Sequence, residues 1–248
     1  MESTRLIMGM PVTVKILDPL VYGKEIEAVF DYFTYIDNKF STYKSDSEIS
    51  RINQGLLKKP EYSPDMKTVL DLCAQTKKAT AGFFEIDHFG ALDPSGLVKG
   101  WAVNNAAGML KKQGIKNFYI NAGGDIQVRG RNEEGRRWRI GIENPFDRRQ
   151  IVKAINVDTE GVATSGTYIR GQHVYDPHKL NKPITDIISL TVIGPDIYEA
   201  DRFATAAFAM GLKALDFIGR LKGFAGYMID KNKVSRETPN FNYYVLYD

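Results

Sequence analysis

Ile188-Ser-Leu-Thr-Val-Ile-Gly-Pro-Asp-Ile-Tyr-Glu-Ala-Asp-Arg-Phe-Ala-Thr-Ala-Ala-Phe-Ala-Met-Gly211 reads as a buried strand, a turn and the opening of a helix. Within that helix Asp201 and Thr205 are four apart, so they stack on one face and set a carboxylate beside a hydroxyl near the N-terminus. Two hard oxygens so placed suit Mg²⁺, which takes a few protein oxygens and fills its remaining positions with water or phosphate. The same residues also suit plain helix chemistry. An Asp in a first turn complements the helix dipole, and a mid-helix Thr back-bonds to its own turn. The pair alone leaves both readings open.

Working outward, hairpin patterns alternate with isolated amphipathic helices, and no regular strand-helix-strand run appears. The expected class is therefore α+β, with mixed, largely antiparallel sheets flanked by helices. A chain of 248 residues with 43% apolar content has enough material for a large core. No run approaches the ~20 apolar residues that a membrane span needs. The single cysteine, Cys73, excludes an intrachain disulfide and a cysteine metal cluster. A formal charge of +3 is too mild to point to nucleic acid. The basic excess from Arg129 to Arg139 includes Glu133 and Glu134 and reads as a solvated hairpin.

Val12 to Leu17 alternates as a strand, expected at a sheet edge. Lys24 to Asn38 places Ile26, Val29, Phe30, Phe33 and Ile36 at helical spacing. Ser47 is the cap expected for a short helical turn, and Pro64 to Thr80 predicts a further helix with Val69, Leu70 and Cys73 inward. Phe83 to His88 is expected as a short strand, after which a Gly-bearing loop opens into a helix ending near Gln113. Backbone N–H groups at such a helix start favour phosphate. Asn117 to Arg129 predicts a strand interrupted at Gly123-Gly124, where a bulge or a close backbone approach is expected. Trp138 to Glu143 and Ile151 to Val157 read as a hairpin, and a closing strand pair is expected around Phe224 to Ile229 and Tyr243 to Leu246.

The order of the small motifs carries more than any one of them. Met8-Gly, Phe40-Ser-Thr-Tyr43, Asp93 leading to Lys99-Gly-Trp-Ala, Ala122-Gly-Gly-Asp125, Ala163-Thr-Ser-Gly166, His173-Val-Tyr-Asp-Pro177 and Ala200-Asp-Arg-Phe-Ala-Thr205 follow one another along nearly the whole chain. That series resembles the FAD:protein FMN transferases, the ApbE-like flavin transferases. The resemblance implies one ApbE-like, T-fold-related domain over residues 1–248. It also implies an enzyme that takes FAD as substrate, uses Mg²⁺ and links FMN to a Thr or Ser hydroxyl of an acceptor flavoprotein, releasing AMP.

By position in the family's motifs, the metal would be held by Asp201 and Thr205 together with main-chain oxygens of Gly96 and Ala204. Met8, Tyr43 and the segment Phe83, Phe84 and Glu85 would line the flavin. Asp93 falls where the family contacts the adenosine end, and Lys99 falls beside the phosphates. His173, with Val174 beside it, matches the family's position near the pyrophosphate, while Thr164 and Ser165 could donate hydrogen bonds to phosphate. His173, Asp201 and Lys99 are thus the expected catalytic set. Either His173 or a carboxylate could take the acceptor's proton.

Relative to the family pattern, Glu85 stands where an Asp is usual and Phe83 to Asp93 is abbreviated. Two other activities fit the same residues: a protein that binds FAD without transferring it, and a Mg²⁺-dependent FAD pyrophosphatase. The resemblance implies a bacterial protein, periplasmic or lipoprotein-anchored if a signal segment has been removed and otherwise cytoplasmic.

Overall fold

The computed structural model describes residues 1–19, 23–167, 175–179 and 182–245. Its strands are β1 (Glu2–Ile7), β2 (Met10–Ile16), β3 (Asp87–His88), β4 (Ala91–Leu92), β5 (Phe118–Ala122), β6 (Asp125–Arg129), β7 (Trp138–Asn144), β8 (Asp147–Val157), β9 (Gly161–Gly166), β10 (Tyr175–Asp176), β11 (Lys182–Pro183), β12 (Ile187–Gly194), β13 (Ala225–Asp230) and β14 (Ser235–Glu237). The helices are α1 (Lys24–Phe40), α2 (Glu48–Asn53), α3 (Pro64–Ala79), α4 (Ser95–Lys112), α5 (Ile197–Ala209) and α6 (Ala214–Ile218). Eight strands form one antiparallel sheet in the order β1-β2-β5-β6-β9-β12-β13-β14, so the expected α+β class holds.

Both faces of this sheet are covered. Val12, Val14, Phe118, Ile120, Leu190 and Val192 point into a core shared with the helices. Ile126, Val162, Ile193 and Tyr227 point the other way, against Trp138, Ile140 and Ile155 of the separate β7–β8 hairpin. Two-sided burial explains why β12 reads as an apolar run rather than an alternation. Between β12 and α5, Pro195 ends the strand and Asp196 caps the helix, its carboxylate accepting from Glu199 N–H at 2.9 Å. Asp201 and Thr205 are thereby carried one and two turns along α5, on the side that faces α4.

Helix α1 buries the apolar stripe expected of it, with Val29, Phe33 and Ile36 fully enclosed. Emptying one such site, as in Phe33→Ala, costs about 3–5 kcal/mol. Ser47 accepts from Ser50 N–H at 3.1 Å and caps α2 as expected.

Several expectations are corrected. β2 is interior, because the mostly exposed β1 pairs along its whole length and takes the edge. Phe83 to Ile86 is not a strand. The Glu85 side chain accepts from the N–H groups of Ile86 and Asp87, occupying amides that a ladder would need. Gly123-Gly124 is a two-residue hairpin turn between β5 and β6, both glycines at positive φ, rather than a bulge. Residues 130–137 link β6 to β7, which lie in different sheets, so this basic stretch is a crossover and no hairpin. β13 pairs with β12 and β14, while Val245 meets Ile155 of β8 instead. Among the described residues no helix is long and apolar enough to cross a membrane.

Candidate functional site

Helices α4 and α5 approach so closely at Gly100 that a Cβ there would stand 2.6 Å from Asp201 Cβ. Glycine at this point lets the α4 main chain reach the carboxylate, and Gly100 N–H donates to Asp201 Oδ2 at 2.8 Å. One turn further along α5, Thr205 Oγ1 donates to Gly96 O at 3.2 Å. On the other side, β6 brings in Asp125, whose Oδ2 lies 2.8 Å from Lys99 Nζ of α4. Asp125 and Asp201 are both buried.

Among the described residues, two buried carboxylates therefore face one ammonium. Burial, and then the negative charge of Asp125, push the Asp201 carboxyl well above the usual carboxylate range, while Lys99 and the Gly100 hydrogen bond oppose that shift less effectively. A further positive charge beside Asp201 would oppose that shift. A divalent cation suits the donor set: a carboxylate, a hydroxyl and a main-chain carbonyl are all hard oxygens.

Gly96, Lys99, Asp201 and Thr205 border a cavity of about 210 Å³. Of the residues expected from the sequence, Tyr43, Phe83, Phe84, Glu85, Asp93 and Gly96 line it, and so do Lys99, Thr164, Ser165, Asp201 and Thr205. Their settings differ. Tyr43 is 99% exposed at the mouth. Phe84 is buried, and Phe83 meets His178 edge-on at 4.5 Å between ring centroids. Glu85 pairs with Lys77, and its hydrogen bonds to Lys77 and the main chain outweigh burial and hold its carboxyl below the usual range. Asp93 accepts from Ser95 N–H at 2.9 Å at the head of α4. Thr164 Oγ1 and Thr191 Oγ1 are 2.9 Å apart.

Met8 lies apart, in a small adjoining hollow that shares Tyr43 and Lys99 with the cavity. Ala204 is fully buried within α5 and does not border the cavity. His173 and Val174 lie outside the described residues. Asp125 stands in the Ala122–Asp125 motif without a role of its own, and its pairing with Lys99 becomes visible only where β6 and α4 come together. Thr42, His88, Ser95 and Tyr175 also border the cavity; Thr42 and Tyr175 stand inside two of the ordered motifs without a role, and His88 and Ser95 carried no sequence signal of their own.

A family model described as the ApbE family matches residues 8–90 and 87–228. The chain belongs to the ApbE family. A FAD:protein FMN transferase of Klebsiella pneumoniae (strain 342) is 35% identical over 150 residues, covering 56% of this chain and 43% of that relative. A second protein of that name, from Vibrio cholerae serotype O1, is 28% identical over 235 residues, covering 71% and 70%. The matched part of the chain thus spans less than half of the Klebsiella relative and a larger share of the Vibrio one. Among solved structures, the flavin transferase ApbE from Vibrio cholerae shares the fold with a TM-score of 0.83 at 23% identity, over 98% of each chain. The ApbE protein from Thermotoga maritima does so with a TM-score of 0.88 at 19% identity, over 100% of this chain and 99% of that one. This ApbE chain therefore keeps the family's fold at low sequence identity.

Proposed function

We propose that the chain is a Mg²⁺-dependent FAD:protein FMN transferase acting as one unit over residues 1–248. The observation that carries this reading is the buried Asp201 and Asp125 pair, with Lys99 bound to Asp125, beside the Thr205 hydroxyl and Gly96 carbonyl. The names of the bacterial relatives support it.

Asp201, Thr205 and the main-chain oxygen of Gly96 would hold the metal. Bound there, a divalent cation supplies charge neutralisation at the pyrophosphate of FAD. Phosphoryl transfer needs positioning and electrostatic stabilisation more than covalent help from the protein. Lys99, fixed by Asp125, presents its ammonium to the same phosphates. Thr164, Ser165 and the start of α4 offer donors to their oxygens. Tyr43 and Phe83 hold the flavin, and Asp93 holds the adenosine end. The acceptor oxygen bonds to the phosphorus of the FMN half, the bond from that phosphorus to the bridging oxygen breaks, and AMP departs. The hydroxyl proton passes to His173 or to a carboxylate of the cavity.

Incubation with FAD, Mg²⁺ and an acceptor protein tests this. Covalent flavin on the acceptor with equimolar AMP is the expected result. Free FMN plus AMP would make the chain a pyrophosphatase, and unchanged FAD would make it a carrier.

A further inference from the structure

His178 does not border the cavity, yet it joins two parts of its wall: the turn after β10, which supplies Tyr175 and Pro177, and the segment after α3, which supplies Phe83. The turn fixes its main chain. Asp176 is buried, its Oδ1 accepts from His178 N–H at 2.9 Å, and its Oδ2 pairs with Lys179 Nζ at 2.9 Å. Asp176 O also accepts from Lys179 N–H at 3.1 Å, so the chain is held on both sides of the imidazole.

The surface that receives the ring is shaped for it. His178 Nε2 lies 3.0 Å from Ala81 O, and because a carbonyl only accepts, the ring donates from Nε2. Gly82 stands at φ +87°, and a Cβ there would lie 3.1 Å from His178 Cε1, so glycine leaves the room that the ring occupies. The ring then meets Phe83 at 71° between planes, the edge-to-face arrangement that aromatic quadrupoles favour. The main chain of this segment is secured independently. Phe83 N–H donates to Thr80 O at 3.1 Å, and Phe84 N–H donates to Thr80 Oγ1 at 3.1 Å. Those bonds do not set the rotation of the half-buried Phe83 ring, and the edge contact with His178 restricts it.

We infer that His178 is a positioning residue for FAD: it sets the ring of Phe83 at the angle at which that ring meets the flavin. The inference rests on the reading that Phe83 holds the flavin of FAD. His178 acts through Phe83 and not on the reacting atoms. A contact to the flavin ring is the same before and during transfer of the phosphoryl group, so its loss weakens binding and leaves the transfer step alone. His178 is exposed, so removing its side chain leaves no cavity in the core.

The test measures FAD binding by flavin fluorescence with Mg²⁺ and no acceptor, for wild type, His178→Ala, His178→Gln, Phe83→Leu and the double variant of His178→Ala with Phe83→Leu. FAD turnover and thermal melts are recorded alongside. His178→Ala is expected to weaken binding about three- to tenfold, with kcat and melting temperature unchanged. His178→Gln keeps a donor for Ala81 O, and so the docking of the turn, but offers Phe83 no ring; it should bind FAD as weakly as His178→Ala. In the Phe83→Leu background the same removal of His178 should change binding by less than about twofold, because the residue it acts through is gone. Wild-type affinity in His178→Gln overturns the inference. So does a loss from His178→Ala that is as large in the Phe83→Leu background as in the wild type, or a loss confined to kcat. Each of these leaves the reading of the cavity standing, because the wild type still binds FAD. No FAD binding by the wild type overturns that reading and the inference with it.

Discussion

Gly100 N–H donates to Asp201 Oδ2 at 2.8 Å, across a contact where the missing side chain of Gly100 is what lets helix α4 reach the carboxylate. The bond orients Asp201 from the main chain, which no side-chain substitution elsewhere can replace. Gly100→Ala forces a Cβ to within 2.6 Å of Asp201 Cβ and 2.8 Å of Ile197 O. Overpacking of this kind costs about 1–3 kcal/mol. The expected outcome is a lowered denaturation midpoint together with a loss of Mg²⁺-dependent turnover larger than the loss of stability explains, measured side by side by chemical denaturation and FAD turnover.

The elevated Asp201 carboxyl gives a pH signature. A carboxyl whose folded value lies above its unfolded value contributes stability that is fully present below the unfolded value and is lost as pH rises through the folded one. Without a divalent cation, the wild type should therefore lose stability relative to Asp201→Asn as pH rises above the ordinary carboxylate range. Added Mg²⁺ should restore it, since a cation that binds only the folded chain stabilises it. Thermal melts of both proteins from acid to neutral pH, with and without Mg²⁺, check this. Parallel curves would remove the electrostatic account of the site.

Lys99, partly buried, pairs with the buried Asp125, and removing the lysine strands the carboxylate, at a cost of up to roughly 3–5 kcal/mol. Lys99→Met should therefore destabilise the chain strongly, and the double variant with Asp125→Asn should recover much of that loss without recovering turnover. Denaturant unfolding of the two single variants and the double one gives the coupling directly.

Tyr43 is almost wholly exposed, so its ring adds little to folding. Tyr43→Ala should leave the melting temperature unchanged. If the ring stacks on the flavin, losing about 0.5–1.5 kcal/mol of aromatic contact raises the KM for FAD several-fold. A fall in melting temperature with an unchanged KM would contradict the assignment.

How much of this was legible in the sequence follows from the range of each interaction. The spacing of Asp201 and Thr205 was readable because four residues is one helical turn, and the stripe of α1 was readable for the same reason. Asp125 was not, because its partner comes from α4 across the core, and no local pattern encodes that meeting. β2 looked like an edge because the strand that covers it, β1, is too exposed to show alternation. Phe83 to Ile86 looked like a strand because Glu85 gives no sign in sequence that its side chain will claim the neighbouring amides.

The central claim is that Asp201 supports metal-dependent transfer of FMN to a protein hydroxyl, and counting covalent flavin on an acceptor, with and without Mg²⁺, for wild type and Asp201→Asn tests it most directly. The account predicts one AMP released for each flavin bound by wild type with Mg²⁺, and at least a hundredfold less without the metal or in the variant. Covalent flavin formed at the wild-type rate by Asp201→Asn, or by wild type in the presence of a chelator, would contradict it.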